Sequence, residues 1–304
     1  MSICVGVRAL GMGKTYAAAA EDMEAIFTNP AALATTNGFK LTSFSGKELE
    51  DVNYSILGGA YPLSNKSALG IGYATSGISG IDIRNTSGTL LKTSNFNSSV
   101  IIAGFGQKLS DHLSLGITYK IFSQDGSEVK DNNGNASNVD IGILQKGPDW
   151  LSLGLIGQNL LSSNQMRCLS AEAEPLPQII KIGFKVYLLG EEFDSAAISP
   201  VKLIFSTDAD LSLAGSKPTT LHSGLEFSPI APLTLRCGMD QSPASDGVQS
   251  VYSSGISLYF SGLGFHYAYH PSGDTAAHYF GLTFDERGWP LDIFPGTYIS
   301  QVNK

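Results

Sequence analysis

This chain has few charged residues, and this limits the classes of protein to which it can belong. Lys, Arg, Asp and Glu make up only 15% of its 304 residues, against roughly 25% in ordinary soluble domains. Acidic residues outnumber basic ones by 27 to 19, which gives a formal net charge of −8. A nucleic-acid partner is excluded, because it would require basic stripes. Low charge fits a protein whose outer surface does not face water.

Long apolar runs and cysteine clusters are missing too. No run of about 18 apolar residues occurs, so a helical membrane span is excluded on length grounds. The three cysteines, Cys4, Cys168 and Cys237, are widely spaced and odd in number. They predict neither a disulfide framework nor a metal site, but small buried side chains. No cofactor is expected, and the N-terminus shows no signal peptide.

What the sequence does contain is repeated period-two alternation. Between His112 and Phe122 the odd positions are Leu, Ile or Tyr, and the even ones are Ser, Gly, Thr or Lys. Successive side chains of a strand point to opposite faces, so such a segment has one apolar face and one small or polar face. Strand-like segments lie at 39–46, 53–63, 66–76, 96–109, 112–123, 137–147, 149–159, 177–189, 199–212, 219–228, 231–240, 250–261, 262–271 and 276–285.

Short turns alternate with longer polar connections along this series, which is typical of outer-membrane barrels. Segments of about ten residues also suffice to cross a bilayer at a tilt. A soluble barrel would show charge outside, whereas these sequences carry Gly, Ser and Thr opposite their apolar rows. The pattern therefore favours apolar rows that face lipid and a polar bore. Tyrosines near strand ends fit interfacial girdles: Tyr61, Tyr73, Tyr119, Tyr187, Tyr259 and Tyr267.

The N-terminal segment has a different character. Residues 17–27 have high helix propensity, Pro30 ends that segment, and a second short turn can follow at 31–33. Such a thin helix could pack in the lumen or lie outside as a periplasmic arm. Residues 11–15 (GMGKT) look like the end of a phosphate-binding loop, but Arg8 stands where that motif needs glycine. We therefore reject nucleotide binding.

Several motifs at the two ends of the chain carry a family resemblance. They are residues 6–13 (GVRALGMG), 18–22 (AAAED), 29–33 (NPAAL), 221–227 (LHSGLEF), 235–238 (LRCG), 265–269 (FHYAY) and 278–279 (HY). In these motifs the chain resembles the FadL-like superfamily, and within it the PorV/PorQ-type and UPF0164 outer-membrane proteins. The middle of the chain shares only the strand pattern.

The resemblance implies an all-β fold, a single transmembrane antiparallel β-barrel of about 14 strands with a short helical N-terminal hatch in the lumen. It assigns residues 1–38 to the hatch, 39–285 to the barrel and 286–304 to a tail that is expected to be periplasmic. It makes Asn29, Pro30 and Ala31 the turn that anchors the hatch. The expected location is the outer membrane of a diderm bacterium.

Apolar residues beside that turn are candidates for a ligand site. Ile26, Phe27 and Leu33 could line a cleft for a long apolar ligand, or they could only wedge the hatch against the barrel wall. Gly77 and Gly80, after the third strand, could weaken a strand end and form a gate. The alternative there is an ordinary loop.

Polar residues on the presumed lumen face form a second candidate set. Glu226 and Arg236 flank the turn at 229–232, three residues before it and four after it, and they share parity, so they should lie opposite each other and pair. His222, Lys120 and His266 share the polar side of their strands, as does Lys185. This set either props the lumen open as an ion-pair network or binds a carboxylate head group through Arg236 or a lysine.

The resemblance implies passive uptake of long-chain fatty acids or similar hydrophobic compounds. A PorV-like partner role in type IX protein secretion, or a purely structural barrel, are the alternatives. The expected partners are outer-membrane lipid, a hydrophobic small molecule such as a fatty acid, and, for the secretion role, a secretion-system protein. No nucleophile motif stands out, so no enzymatic role is predicted.

Overall fold

The computed structural model describes residues 6–21, 23–48, 52–126, 133–161, 165–168, 174–190, 201–213, 217–244, 247–271 and 275–287. Within these residues one α-helix (α1, Val7–Gly11) and two 3-10 turns (Met23–Phe27 and Pro30–Thr35) precede sixteen strands. The strands are β1 Lys40–Glu48, β2 Val52–Ser64, β3 Ser67–Arg84, β4 Leu90–Lys108, β5 Leu113–Gly126, β6 Gly134–Lys146, β7 Leu151–Gln158, β8 Gln165–Cys168, β9 Glu174–Pro175, β10 Ile179–Leu189, β11 Lys202–Ser212, β12 Thr220–Ile230, β13 Leu233–Ala244, β14 Gly247–Phe260, β15 Leu263–Tyr269 and β16 His278–Asp285.

Fourteen of these strands close into one antiparallel barrel, as predicted. Each pairs with its neighbours in the chain, β7 pairs with β10, and β1 pairs with β16 so that Lys40 lies opposite Asp285. The short strands β8 and β9 form a hairpin that extends β6 outside the ring, in a segment predicted as loop. The hairpin of β3 and β4 also reaches further than predicted, to Arg84 and Leu90.

The two ends of the barrel differ in their connections. One end, here called the turn end, carries short links such as 65–66, 231–232 and 261–262, and both β1 and β16 have their outer termini there. The other, the loop end, carries 127–133, 159–178 and 270–277. The domain boundaries 1–38 and 39–285 remain predictions, and residues 288–304 of the proposed tail lie outside the described residues.

The apolar rows face outward, as the sequence predicted. In β5, Ile117 and Ile121 are each 47% exposed, whereas Thr118 and Lys120 between them are buried. Large side chains such as Ile71 on β3 (64% exposed) continue this outer belt around the barrel. An apolar exterior over a partly polar interior is the arrangement of a transmembrane barrel. Within the described residues, no helix is long and apolar enough to cross a membrane.

Residues 6–21 and 23–37 fill the lumen and form the hatch, and the helix predicted over 17–27 is present only as the 3-10 turn Met23–Phe27. Residues 17–20 lie outside any helix. The backbone N–H groups of Tyr16 and Ala17 donate to the Asp208 carboxylate, at 2.7 and 2.8 Å, so this segment is fixed against the barrel wall. Tertiary contacts here override helix propensity. The second short turn is present as the 3-10 turn Pro30–Thr35.

Two smaller expectations also fail. Tyr187 and Tyr259 are not part of an outer girdle; both are buried in the lumen, where they contact Lys185 and Arg236 respectively. Cys237 is exposed on the outer face rather than buried. Within the described residues no group of His, Cys, Asp or Glu is arranged to hold a metal ion.

Candidate functional site

Glycines on the lumen face of the barrel make room for the hatch backbone. An added Cβ at Gly116 would lie 2.1 Å from the carbonyl carbon of Pro30, and one at Gly154 would lie 2.1 Å from the carbonyl oxygen of Ala17. We call the positions with such backbone or anchor contacts the glycine collar: Gly106, Gly116, Gly142, Gly154, Gly224 and Gly238.

Most of the collar falls into two groups on neighbouring strands, one on β4–β6 and one on β12 and β13. Gly106 lies opposite Gly116, Gly116 opposite Gly142, and Gly224 opposite Gly238. Hatch and barrel therefore meet through main chain rather than through interlocking side chains, and any side chain larger than hydrogen would intrude. In the sequence, these contacts are indicated only by glycines that recur at lumen-facing positions. That pattern does not predict which of the glycines contact the hatch.

A buried ion pair joins the hatch to the polar side of the wall. The predicted pair is present: Glu226 lies directly opposite Arg236, whose Nε donates to Oε2 at 2.6 Å. Sequence reasoning missed the third member, Arg8 of the hatch. Its Nε and Nη2 donate to the two Glu226 oxygens at 2.8 Å each, which is the bidentate geometry that favours Arg.

Arg236 is fully engaged by protein groups. Besides Nε, its Nη1 donates to Ser257 and its Nη2 lies 3.3 Å from the Tyr259 hydroxyl. Ser257 Oγ in turn lies 2.7 Å from His266 Nδ1, so His266 belongs to this group. Each of the three guanidinium nitrogens of Arg236 already has a protein acceptor, which favours the structural interpretation of Arg236.

The other predicted polar residues belong to separate groups. His222 lies 2.8 Å from Asp240, which also forms an ion pair with Lys14 of the hatch at 2.7 Å. Lys120 pairs with Asp140 across β5 and β6, and both side chains are buried. The five candidates thus form three clusters instead of one network, and two of the three clusters hold the hatch.

A further hatch carboxylate is held by charge. Glu21 forms ion pairs with Lys185 of β10 and with Arg8. Burial raises the pKa of the Glu21 carboxyl, but the Lys185 ammonium and the Arg8 guanidinium outweigh it and lower the pKa to about 2. Glu21 therefore stays ionised at any physiological pH.

The turn proposed as the anchor is tied to both hatch and barrel. Asn29 Oδ1 accepts the N–H of Ala31 at 3.1 Å and caps the 3-10 turn that begins at Pro30. Its Nδ2 donates to the carbonyl oxygens of Ala17 at 2.7 Å and Ile143 at 3.2 Å. One amide thus connects two hatch segments and β6.

Replacing Asn29 with alanine is expected to destabilise the hatch by about 0.5–2 kcal/mol, because the cap is lost and buried carbonyls lose their donor. Asn29→Asp keeps the cap acceptor but loses both donated bonds, so it should not restore the wild-type behaviour. The measurement is the rate of proteolysis within the hatch of the folded barrel. Equal rates for wild type and Asn29→Ala would contradict the anchoring role.

The apolar candidates lie on the opposite side of the hatch. Ile26 and Leu33 approach Gly70 and Gly104, and Phe27 lies over Gly72, so all three pack against β2–β4. They begin an apolar cluster that reaches the loop end, which we call the apolar lane: Ile26, Phe27, Leu33, Tyr54, Ile56, Val100, Ile102, Phe122, Leu176 and Ala277. These residues either wedge the hatch against the barrel or line a ligand site, and both interpretations concern this same surface.

The two gate candidates lie inside β3 and not in a loop. The register of β3 on β4 shifts between Ile78 and Ile81, and Gly80 has a φ of 80°. The N–H of Gly80 donates to the Asn95 side chain at 3.1 Å instead of to a backbone carbonyl. This bulge interrupts the hydrogen bonding between β3 and β4 at the loop end of the barrel, beside the apolar lane.

Known structures share this architecture. A Pseudomonas aeruginosa FadL homologue aligns over 92% of this chain and 98% of its own, at 12% identity and a TM-score of 0.59. The CymD monoaromatic hydrocarbon channel aligns over 93% and 98%, at 13% identity and 0.63. The Ralstonia pickettii toluene transporter TbuX aligns over 92% and 98%, at 11% identity and 0.57. At these identities the likeness shows the fold alone. No family model and no curated protein matches the sequence.

Proposed function

We propose that this chain is an outer-membrane channel for the passive uptake of hydrophobic compounds. The observation that carries the proposal is the apolar lane, which runs from Ile26, Phe27 and Leu33 at the hatch to Leu176 and Ala277 at the loop end. The outward apolar belt supports the membrane location. The similar structures named above, a toluene transporter and a hydrocarbon channel, support the type of cargo.

Long-chain fatty acids are one candidate cargo, and uncharged compounds such as small aromatic hydrocarbons are another. The charges lining the lumen bear on the choice. Arg8 and Arg236 are bound to Glu226, Lys120 to Asp140, and Lys185 to Glu21. A fatty-acid carboxylate would have to compete with these buried carboxylates, which favours an uncharged cargo.

Transport of this kind needs no energy source. Each CH₂ moved from water into an apolar site gains about 0.8 kcal/mol, so an apolar compound enters the lane spontaneously and leaves for lipid at little cost. The hatch blocks water because its backbone lies on the glycine collar. We propose that the bulge of β3 around Gly77 and Gly80 opens as the gate between lane and membrane.

Cross-linking the gate tests both function and route. Gly77→Cys with Asn97→Cys, directly opposite on β4, would be built after replacing the native cysteines. We expect oxidation to cut uptake of a labelled long-chain fatty acid or toluene into proteoliposomes by about half or more, because gating steps limit such transport. Reductant should restore it.

The matched control is Ile71→Cys with Ala103→Cys, an outward-facing pair on the same two strands, whose oxidation should leave uptake unchanged. Comparing the two cargoes measures the preference for uncharged compounds. Uptake equal to that of empty vesicles in both redox states would contradict the channel function, and undiminished uptake in the oxidised gate variant would contradict the route.

One feature favours the secretion-partner role as a second candidate. Beyond the bulge, the hairpin of β3 and β4 extends past the barrel and exposes Ile81 (39%), Leu90 (48%) and Leu91 (63%). Exposed apolar residues on such an arm suit a protein partner. The absence of uptake, together with a protein that co-purifies only while Leu90 and Leu91 are intact, would favour this role.

A further inference from the structure

A groove of about 510 Å³ lies on the outside of the barrel, where the first and last strands meet. Two outward rows of side chains line it, each crossing four strands in register, and Phe44, Gly281 and His266 lie between these rows. The first row is Ser43, Leu282, Phe265 and Leu258. The second row is Ser45, Phe280, Tyr267 and Ile256. The groove belongs to the outer belt and not to the lumen site.

Side-chain size explains the depression. Ser43 and Ser45 are small, while Phe280 (63% exposed) and Leu282 (56% exposed) rise beside them on β16. Gly281 between these two points inward, where an added Cβ would meet Val7 of the hatch. The volume lies in the range of about 300–1,000 Å³ that suits small ligands. In a transmembrane barrel, this depression faces lipid chains.

The next row toward the loop end is polar and basic. Lys47 lies opposite His278, which lies opposite Tyr269, and the rise along a strand puts this row about 7 Å above the groove. The Tyr267 hydroxyl, on the groove's own lining, is 2.8 Å from His278 Nδ1. That contact leaves His278 Nε2 as the ring nitrogen for another partner.

These donors fit an anion at the membrane surface. Lys47 and His278 are both exposed, and Lys47 forms no ion pair with any residue that the structure describes. Lys47 carries a positive charge and His278 offers its second ring nitrogen, so an anion between these opposite residues could bond with both. Tyr267 and Tyr269 also carry the amphipathic type of ring that is enriched at the level of lipid head groups.

We propose that the groove binds an anionic phospholipid, with one acyl chain between Ser43, Ser45, Phe280 and Leu282 and the phosphate held by Lys47 and His278. Tyr267 contacts both parts of the site, since it lines the groove and orients His278. The inference rests on the transmembrane barrel and is independent of transport through the lumen. Its ligand remains bound to the outer wall as a structural lipid.

Native mass spectrometry of the detergent-solubilised protein, titrated with phosphatidylglycerol or phosphatidylcholine, tests this site. We expect wild type to bind phosphatidylglycerol more tightly. Ser43→Leu with Ser45→Leu should fill the groove and weaken phosphatidylglycerol binding about tenfold. Lys47→Gln with His278→Gln should lower phosphatidylglycerol binding to the level of phosphatidylcholine, also about tenfold.

Ser99→Leu with Ser123→Leu, an outward pair on β4 and β5, is the matched control and should bind like wild type. Heat-dependent gel mobility checks the fold of each variant. Equal binding of the two lipids by wild type, or wild-type binding by the groove-filling variant, would overturn the proposal. The proposal would also be overturned if the groove-filling substitutions converted a dimer of this protein into a monomer without changing lipid binding. A second copy of the chain, and not a lipid, would then occupy the groove. No uptake is measured, so failure here leaves the channel proposal standing.

Discussion

Replacing Gly116 with alanine is expected to displace the hatch and open the barrel to water-soluble solutes. The new methyl group would lie 2.1 Å from the Pro30 carbonyl carbon and 2.3 Å from the Ala31 nitrogen. Overpacking typically costs about 1–3 kcal/mol, and backbone atoms cannot rotate away as a flexible side chain can. The strain falls directly beside the turn in which Asn29 holds the hatch to β6.

Current across a planar bilayer measures the effect. Wild type should conduct at background because the hatch fills the lumen, whereas Gly116→Ala should give a steady open-pore current. Gly142 lies opposite Gly116 in the collar, and Gly142→Ala should also give an open-pore current, since its added Cβ would lie 2.1 Å from Asn29 Oδ1. Two adjacent positions with the same result would exclude an effect peculiar to one strand.

Gly59→Ala is the matched control. Gly59 is not part of the collar, and its added Cβ would lie 3.2 Å from the end of the Leu41 side chain and 3.8 Å, an ordinary contact distance, from the Lys40 carbonyl oxygen. The variant should fold and remain closed. A closed, fully folded Gly116→Ala barrel would show that the hatch tolerates a side chain at the collar, and the main-chain contact would then not determine its position.

The barrel could be predicted because period-two alternation follows directly from strand geometry. Fourteen strands, their order and their outward apolar rows required no knowledge of long-range contacts. The ends were less predictable: the bulge of β3 at Ile78–Ile81 lets the hairpin run on to Arg84, and no periodicity marks such a bulge.

The site could be predicted only where local geometry determines it. Glu226 and Arg236 pair because they flank a short turn, with a one-residue register shift between Phe227 and Ile230 that brings the two residues directly opposite each other. Arg8 is 218 residues from Glu226, and its position depends on how the hatch enters the barrel. The alanines at 17–20 failed as a helix for the same reason: the nearby N–H groups of Tyr16 and Ala17 bind Asp208, which lies on a strand far along the chain.

The hatch thus has two different faces. Toward β12 and β13 it is held by the charges of Arg8 and Lys14, and toward β2–β4 it presents Ile26, Phe27 and Leu33. Charged contacts are directional and costly to break when buried, whereas apolar contacts are non-directional and easily exchanged for those of an apolar ligand. The polar face therefore suits a fixed anchor, and the apolar face suits a path along which cargo can move.

Removing the shared carboxylate should loosen the whole anchor. Glu226→Gln leaves the buried Arg236 without a compensating charge and leaves Arg8 only its longer ion pair with Glu21, at 3.7 Å. Breaking a buried pair costs about 3–5 kcal/mol. Arg8→Met should cost less, because Glu226 keeps its bonds with Arg236. Free energies of unfolding from urea titrations in lipid vesicles, followed by circular dichroism, would rank the two variants.

The double variant separates a network from a set of independent contacts. Adding Arg8→Met to Glu226→Gln removes one of the two guanidinium groups that lost the Glu226 charge, so the double variant should be no less stable than Glu226→Gln alone, and the two effects should not add. Asp82→Asn breaks an ion pair with Arg84 whose side chains are 42% and 53% exposed, so it should change stability by less than about 1 kcal/mol. If Glu226→Gln proved as mild as Asp82→Asn, the buried cluster could not be what holds the hatch, and the polar face would contribute no more than the apolar one to keeping the lumen closed.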